Sequence, residues 1–273
     1  LPTGLRLPFP KGNFFASDVF VTQASVDWLA EHILARYLME KGPVGDFLDV
    51  GAHIGYYSLL YAPLVRRVYA FEPDPRNHPA MASTAACTGN LEVVPMAVAD
   101  RDGKLGFCEG EASSVSHLAS EADASNNAVE ATTLDSFVSS RGIHPLAVKV
   151  DIEGFDILAL EGARQTALQD RPVFLVEYNQ EEGRPNTFAR LGQFLEGVTY
   201  QLYAIDRTES GPFKCSYEMK AVPAADLARC HTKMLFLVPA ENAWFPKFVR
   251  RMPRWTSLDL RPVGVARVLL GEG

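Results

Sequence analysis

Short runs of apolar and β-branched residues alternate with longer stretches of helical period along most of this chain. Phe47-Leu48-Asp49-Val50, Val68-Tyr69-Ala70-Phe71, Leu91-Glu92-Val93-Val94, Leu146 to Val150, Val173 to Val176, Tyr200 to Ile205 and Met234 to Val238 read as strands. Tyr56 to Tyr61, Arg76 to Cys87, Phe155 to Leu168 and Phe188 to Leu195 read as helices between them. That alternation predicts βαβ units: an α/β, Rossmann-like fold with a seven-stranded, mostly parallel sheet, helices on both faces and a C-terminal antiparallel hairpin.

Three segments stand outside the alternation. Residues 1–45 form an N-terminal extension, rich in Phe and Pro and ending in an amphipathic helix from Ser25 to about Met39, expected as a cap or on the substrate side. Residues 46–240 form the ligand-binding domain, interrupted from Glu109 to Asn127 by a small, polar, Ser- and Asn-rich loop. Residues 241–273 carry Trp244, Phe245, Phe248 and Trp255 with five arginines, and are expected as a lid or an oligomer contact.

The 273 residues are 47% hydrophobic and 22% charged, enough for a large core, and the net charge of −7 lacks the basic footprint of nucleic-acid or anionic-membrane binding. The expected partner is therefore a small-molecule acceptor, with no nucleic acid and no membrane, and a homo-oligomer through the terminal extensions as a further expectation. Cys87, Cys108, Cys215 and Cys230 show neither a C-x-x-C pair nor metal-ligand spacing, so no disulfide framework and no metal site is expected. A cytoplasmic location fits that cysteine usage, and no secretory leader or membrane helix is expected. The sequence opens at Leu1 and not at Met, which is consistent with residues upstream.

The chemistry concentrates after the first strand. Asp49-Val50-Gly51-Ala52-His53-Ile54-Gly55 puts a carboxylate at a strand end, then two glycines around a tight turn into a helix that begins at Tyr56. Glycines let backbone approach a ligand, and a helix N-terminus offers N–H groups to a carboxylate. The dinucleotide fingerprint G-x-G-x-x-G is weakened here, because His53 holds its middle position. Glu72, followed by Pro73, ends the second strand where nucleoside-binding folds place an acceptor for ribose hydroxyls. Ala97 to Asp100 follows the third strand, where Asp100 is either an acceptor for an adenine amine or part of a hairpin turn, Asp100-Arg101-Asp102-Gly103. These groups share the carboxyl edge of the sheet and together point to a ligand of the adenosylmethionine type.

Four ordered stretches then carry a resemblance. They are Phe47 to Ser58, Ala70-Phe71-Glu72-Pro73-Asp74-Pro75, Ala131-Thr132-Thr133-Leu134-Asp135, and Val148-Lys149-Val150-Asp151-Ile152-Glu153-Gly154-Phe155-Asp156. In these the chain resembles the FkbM family of S-adenosylmethionine-dependent O-methyltransferases, from about Asp46 to Asn179. The resemblance implies a class I methyltransferase fold, S-adenosylmethionine as cofactor with S-adenosylhomocysteine as product, and transfer to a hydroxyl oxygen of a sugar, polyketide or other secondary metabolite. Transfer to nitrogen or a carboxylate, or a non-catalytic cofactor-binding protein, are the alternatives. One departure is His53, where similar proteins usually carry Asn. The cofactor set is then Asp49, Gly51, Ala52, His53, Gly55, Tyr56, Glu72, Pro73, Ala97, Asp100 and Asp151.

Methyl transfer from a sulfonium is an in-line displacement, so the protein aligns the acceptor and receives its proton. Lys149, Asp151 and Glu153 alternate at the end of the fourth strand, where the fold presents catalytic groups. Asp151 is the expected base. Glu153 is second, with capping of the next helix as its other role. Asp151 has a further possible role as ligand of a divalent cation, which is not predicted. His117 and His144 are loop histidines that are candidates to reach the acceptor, or surface residues; His32 and His78 have no supporting context. Asp135 is assigned to structure, beside a Thr cap.

Overall fold

The computed structural model describes residues 27, 29–108, 117–118, 128–152, 154–178, 187–211, 214–230, 232–251 and 254–256. The first half of the chain forms α1 (Ala30–Lys41), β1 (Asp46–Val50), α2 (Tyr56–Tyr61), β2 (Val68–Phe71), α3 (His78–Thr88), β3 (Leu91–Val94) and β4 (Ala97–Val98). Next come β5 (Gly103–Cys108), β6 (His117–Leu118), β7 (Ala128–Thr132), α4 (Leu134–Arg141), β8 (Pro145–Val150), α5 (Asp156–Glu161) and α6 (Arg164–Gln169). The rest is β9 (Val173–Glu177), α7 (Thr187–Val198), β10 (Tyr200–Gly211), β11 (Lys214–Ala221), β12 (Met234–Pro239), α8 (Trp244–Arg251) and β13 (Arg254–Thr256).

All seven strands read from the apolar runs form, and they lie side by side in the order β3-β2-β1-β8-β9-β12-β10. Two more strands, β11 and β13, extend the sheet to nine. β3, β2, β1, β8 and β9 pair in parallel, β12 runs against both β9 and β10, and β11 runs against β10 and β13. Antiparallel pairing is present at the C-terminal side of the sheet, as expected, between the successive strands β10 and β11, and Tyr200–Ile205 also pairs antiparallel with Met234–Val238. β10 is flanked by β11 and β12, and β12 lies between β9 and β10. β11 escaped the sequence because its apolar positions, Tyr217 and Met219, sit among polar residues on the outer part of the sheet.

The small sheet β4-β7-β5-β6 was also unforeseen. It corrects one reading: Asp100-Arg101-Asp102-Gly103 is not a hairpin turn, because β4 and β5 flank β7 and do not pair with each other. Within the expected loop, His117–Leu118 pairs with β5, while the rest of 109–127 lies outside the described residues.

Strand alternation divides the core into two layers. Leu48, Val50, Val148, Val150, Phe174 and Val176 face α4, α5, α6 and α7. Phe47, Ala147, Val173, Leu175 and Phe236 face α1, α2 and α8. The described parts of residues 1–45 and 241–273 pack on the sheet. α1 and α8 close over the same face, with Tyr37 5.5 Å from Trp244 and 5.6 Å from Phe245, and Trp244 Nε1 donating to Glu40 at 2.6 Å. Among the described residues no helix is long and apolar enough to cross a membrane.

The helix read from Phe155 to Leu168 is broken into α5 and α6 at Gly162. A Cβ there would lie 2.1 Å from the carbonyl oxygen of Ala99, so the helix runs against backbone that only glycine clears. α6 restarts under the Asp135 carboxylate, which accepts from the N–H groups of Gln165 and Thr166 at 2.8 and 2.7 Å, while Thr133 Oγ1 caps α4 through Ser136 N–H at 3.0 Å. Asp135 is structural, as its sequence context suggested. Gly162→Ala should cost about 1–3 kcal/mol in urea denaturation, the scale of overpacking a tight contact; an unchanged midpoint would contradict the close approach.

Candidate active site

Strand register builds the site. Val94, Phe71, Val50, Val150 and Val176 stand abreast at the ends of β3, β2, β1, β8 and β9. The residues that follow them, among them Glu72, Gly51, Asp151 and Glu177, therefore line one edge. Ligands of open parallel sheets bind outside such an edge.

The turn after β1 is stitched into place by its own amides. Gly51 N–H and Ala52 N–H donate to the Phe71 carbonyl at 3.1 and 2.9 Å, His53 N–H to Glu72 Oε2 at 2.7 Å, and Gly55 N–H to the Ala52 carbonyl at 2.7 Å. Gly51 has φ +73°, and a Cβ would meet the Asp151 carbonyl oxygen at 1.9 Å. Glycine thus lets the ends of β1 and β8 converge, as well as opening the turn. Gly55, at φ +85°, precedes α2 and packs against Thr84 and Met81 of α3. His53 has φ +52°, a region where Asn, Asp and His are enriched over other non-glycine residues, so His suits the turn. Burial, then the Lys149 charge, lowers its imidazole pKa to about 4, so the ring is neutral at pH 7.

Glu72 is 6% exposed and its two oxygens accept from His53 N–H and from Asp74 N–H, the latter at 2.8 Å. A carboxylate offers about four acceptor positions. The Asn77 side chain is a third partner, and the acceptor capacity that is left suits a hydroxyl such as those of a ribose. Burial raises the Glu72 pKa to about 7, against the pull of the two amides. His78, which had no context in the sequence, holds this strand end through a 2.8 Å contact of Nε2 with the Glu72 carbonyl.

Lys149 is the buried cation of the edge. Its Nζ donates to the Gly51 carbonyl at 2.9 Å and lies 3.1 Å from Asp151 Oδ2, 3.9 Å from Asp49 Oδ1 and 5.3 Å from the Tyr57 ring centre. Burial opposes its charge, but Asp151 and Asp49 outweigh that and hold its pKa above the ordinary lysine value. Asp151, with a side chain 28% exposed, is held below the usual carboxylate range: burial pushes it up, and Lys149 pulls it down further. Asp49 is completely buried. Its Oδ2 accepts from Ser58 at 2.6 Å, its Oδ1 has no hydrogen bond, and burial raises its pKa. Asp49 therefore stands behind the turn, opposite Lys149, and not at the open edge.

The other candidates lie as follows. Ala52 and Tyr56 are buried in and just after the turn, the Tyr56 ring edge-on to Tyr57, and Pro73 is half-buried beside Glu72. Ala97 is buried on β4 against the small sheet, and Asp100 is exposed just beyond that strand. His117 is on β6, opposite Cys108. Glu153 lies outside the described residues. His144 is a correction: it precedes β8, at the amino end of the strand whose carboxyl end carries Asp151, and pairs with Asp170 at 2.8 Å. His32 is buried on α1 with its pKa lowered to about 4, mainly by burial. Among the described residues no group of three or more His, Cys, Asp and Glu is placed to hold a metal ion.

Sequence reasoning missed Asp27, Tyr57, Glu177 and Lys233. Asp27 accepts from Tyr57 OH at 2.5 Å and pairs with Lys233 Nζ at 2.6 Å, closing the α1 side of the edge. Glu177 was legible as the residue ending the fifth strand; the other three meet only through the fold.

The family model described as Methyltransferase FkbM domain matches residues 49–202, more than half of the chain. Among solved structures, a methyltransferase FkbM from Methylobacillus flagellatus KT is similar with a TM-score of 0.47 and 16% identity, over 72% of this chain and 44% of that one. This chain thus spans less than half the length of that protein. Magnesium protoporphyrin IX methyltransferase from Synechocystis PCC 6803, with bound SAM, is similar with a TM-score of 0.45 and 13% identity, over 85% and 86% of the two chains. A putative methyltransferase from Escherichia coli is similar with a TM-score of 0.40 and 15% identity, over 87% and 94%. None of the curated proteins matches the chain.

Glu72 sets a pH dependence. Its pKa is 4.5 in the unfolded chain and about 7 when folded, so between those values the unfolded state loses a proton that the folded state keeps. Stability attributable to Glu72 is therefore greatest below the lower value and falls as pH rises through the window, by roughly 3 kcal/mol in total. Urea denaturation of wild type and Glu72→Gln on both sides of the window should show wild type losing that amount relative to the variant; parallel pH profiles would refute the buried, raised carboxyl.

Proposed function

The chain belongs to the FkbM methyltransferase family, and from that premise we propose that it binds S-adenosylmethionine and methylates a hydroxyl oxygen of a small molecule, a sugar, polyketide or other secondary metabolite. The observation that carries this reading is the row of strand ends, which puts the Glu72 acceptor, the Gly51–Gly55 turn and the half-buried Asp151 carboxylate along one edge.

In this reading Glu72 receives the ribose with the acceptor capacity that His53, Asp74 and Asn77 leave. When bound, S-adenosylmethionine supplies an electrophilic methyl carbon on a sulfonium. The remaining work falls to the chain. The neutral His53 ring adds no positive charge beside a cationic ligand. Lys149 keeps Asp151 ionised and, by bonding the Gly51 carbonyl, ties the base to the turn. Asp151 orients the acceptor hydroxyl and takes its proton as the oxygen is methylated. A weak base suffices, because the hydroxyl becomes strongly acidic only as its oxygen gives up electrons to carbon.

Calorimetric titration with S-adenosylhomocysteine should give micromolar binding to the wild-type chain. Glu72→Ala should weaken it about tenfold to a hundredfold, as expected for lost hydrogen bonds to a charged group. Asp151→Asn should change affinity less and abolish methyl transfer in a screen of hydroxyl acceptors. Absence of binding would remove the cofactor reading, and full turnover by Asp151→Asn would remove Asp151 as the base.

A further inference from the structure

The edge holds one carboxyl group beyond those that the motifs supply. β8 and β9 pair with Lys149 beside Leu175 and Val150 beside Val176, so Asp151 and Glu177 leave neighbouring strands side by side. Paired positions on parallel strands send their side chains to the same face, here the face of α1 and α2. The Glu177 side chain, next to Asp151 in that register, is one of the groups that lower the Asp151 pKa, after Lys149. Two ionised carboxylates set side by side repel each other and have no donor between them, whereas one proton held between them relieves both.

The surroundings favour one shared proton. Lys149 lies 3.1 Å from Asp151. The charges of both carboxyls also act on Lys233, which is fixed by its 2.6 Å pair with Asp27 and by its carbonyl, which accepts from Tyr178 N–H at 2.8 Å. Among the described residues the charge of Asp151 also acts on Asp49 on β1, Asp156 on α5 and His53 in the turn. With both carboxyls ionised, Lys149 and Lys233 would face Asp27, Asp49, Asp151 and Glu177 together. A shared proton removes one of those negative charges.

We infer that Asp151 and Glu177 work as a carboxyl pair holding one proton, and that the pair, and not Asp151 alone, is the base for the acceptor hydroxyl. The inference rests on the methyl-transfer reading above. In the step, the acceptor oxygen bonds to the methyl carbon while the carbon–sulfur bond breaks and its electron pair returns to sulfur. The hydroxyl proton passes to the pair, which is then doubly protonated and discharges to solvent on the open side of Asp151. Glu177 acts through Asp151 as a positioning residue: it donates the shared proton and fixes the direction in which Asp151 faces the acceptor.

Infrared difference spectroscopy on the full chain at neutral pH tests the pair without a known acceptor. Subtracting Glu177→Gln from wild type should reveal one protonated-carboxyl carbonyl band, the contributions of Glu72 and Asp156 cancelling. Subtracting Asp151→Asn should reveal the same band, because Glu177 beside a neutral amide and two lysines ionises. A merely structural Glu177 would not respond to Asp151 in that way. A band that survives in Glu177→Gln overturns the pair, and one lost there but kept in Asp151→Asn overturns the sharing. Titration of the same wild-type sample with S-adenosylhomocysteine separates the two levels: no binding overturns the base role together with the methyl-transfer reading, while the band reports on the pair independently.

Discussion

A lysine ammonium buried in the middle of a parallel sheet is costly unless carboxylates and carbonyls surround it, and much of this site follows from that requirement. Lys149 finds Asp151 on its own strand, Asp49 on β1 and the Gly51 carbonyl at the turn. Satisfying one charge thus ties together the ends of the two central strands, the turn into α2 and the candidate base. The tie needs glycine at position 51, since any Cβ there would press into the Asp151 backbone that Lys149 draws close.

Register does the rest. Because five parallel strands end abreast, the residue after each strand falls into one row, and chemistry scattered along the sequence is gathered without a dedicated loop. The two faces differ in what they bring. One is closed by α4, α5, α6 and α7 with apolar side chains. The other, under α1, α2 and α8, also carries Asp27, Tyr57, Lys149 and Lys233, so the polar cluster sits at the rim of that layer. The described parts of the two terminal segments thereby support the edge from below: α8 holds α1 through Trp244 and Phe245, and α1 begins just after Asp27.

The central strands were legible because both faces are covered, which forces continuous apolar runs such as Val173 to Val176, and Glu72 and Asp151 were legible because they end such runs. β11 was not, because it lies beyond the doubly covered part of the sheet and mixes polar with apolar positions. The break at Gly162 was hidden for a different reason. The helical period runs through it, while the Gly162 carbonyl accepts from Asp135 N–H and its Cα lies against the Ala99 backbone, contacts that only the fold determines. Lys233 and Asp27 belong to the same class: each is an unremarkable charged residue until the strand order puts it beside the other. Asp49 was legible as a carboxylate at a strand end, but its full burial next to Lys149 was not.

The claim that Lys149 holds the edge together is tested most directly by chemical denaturation of Lys149→Met and of the double variant Lys149→Met with Asp49→Asn. Removing the cation alone strands a buried carboxylate and should cost about 3–5 kcal/mol, while neutralising Asp49 as well should recover a large part of that loss. A single variant as stable as wild type, or a double variant no better than the single, would contradict the account.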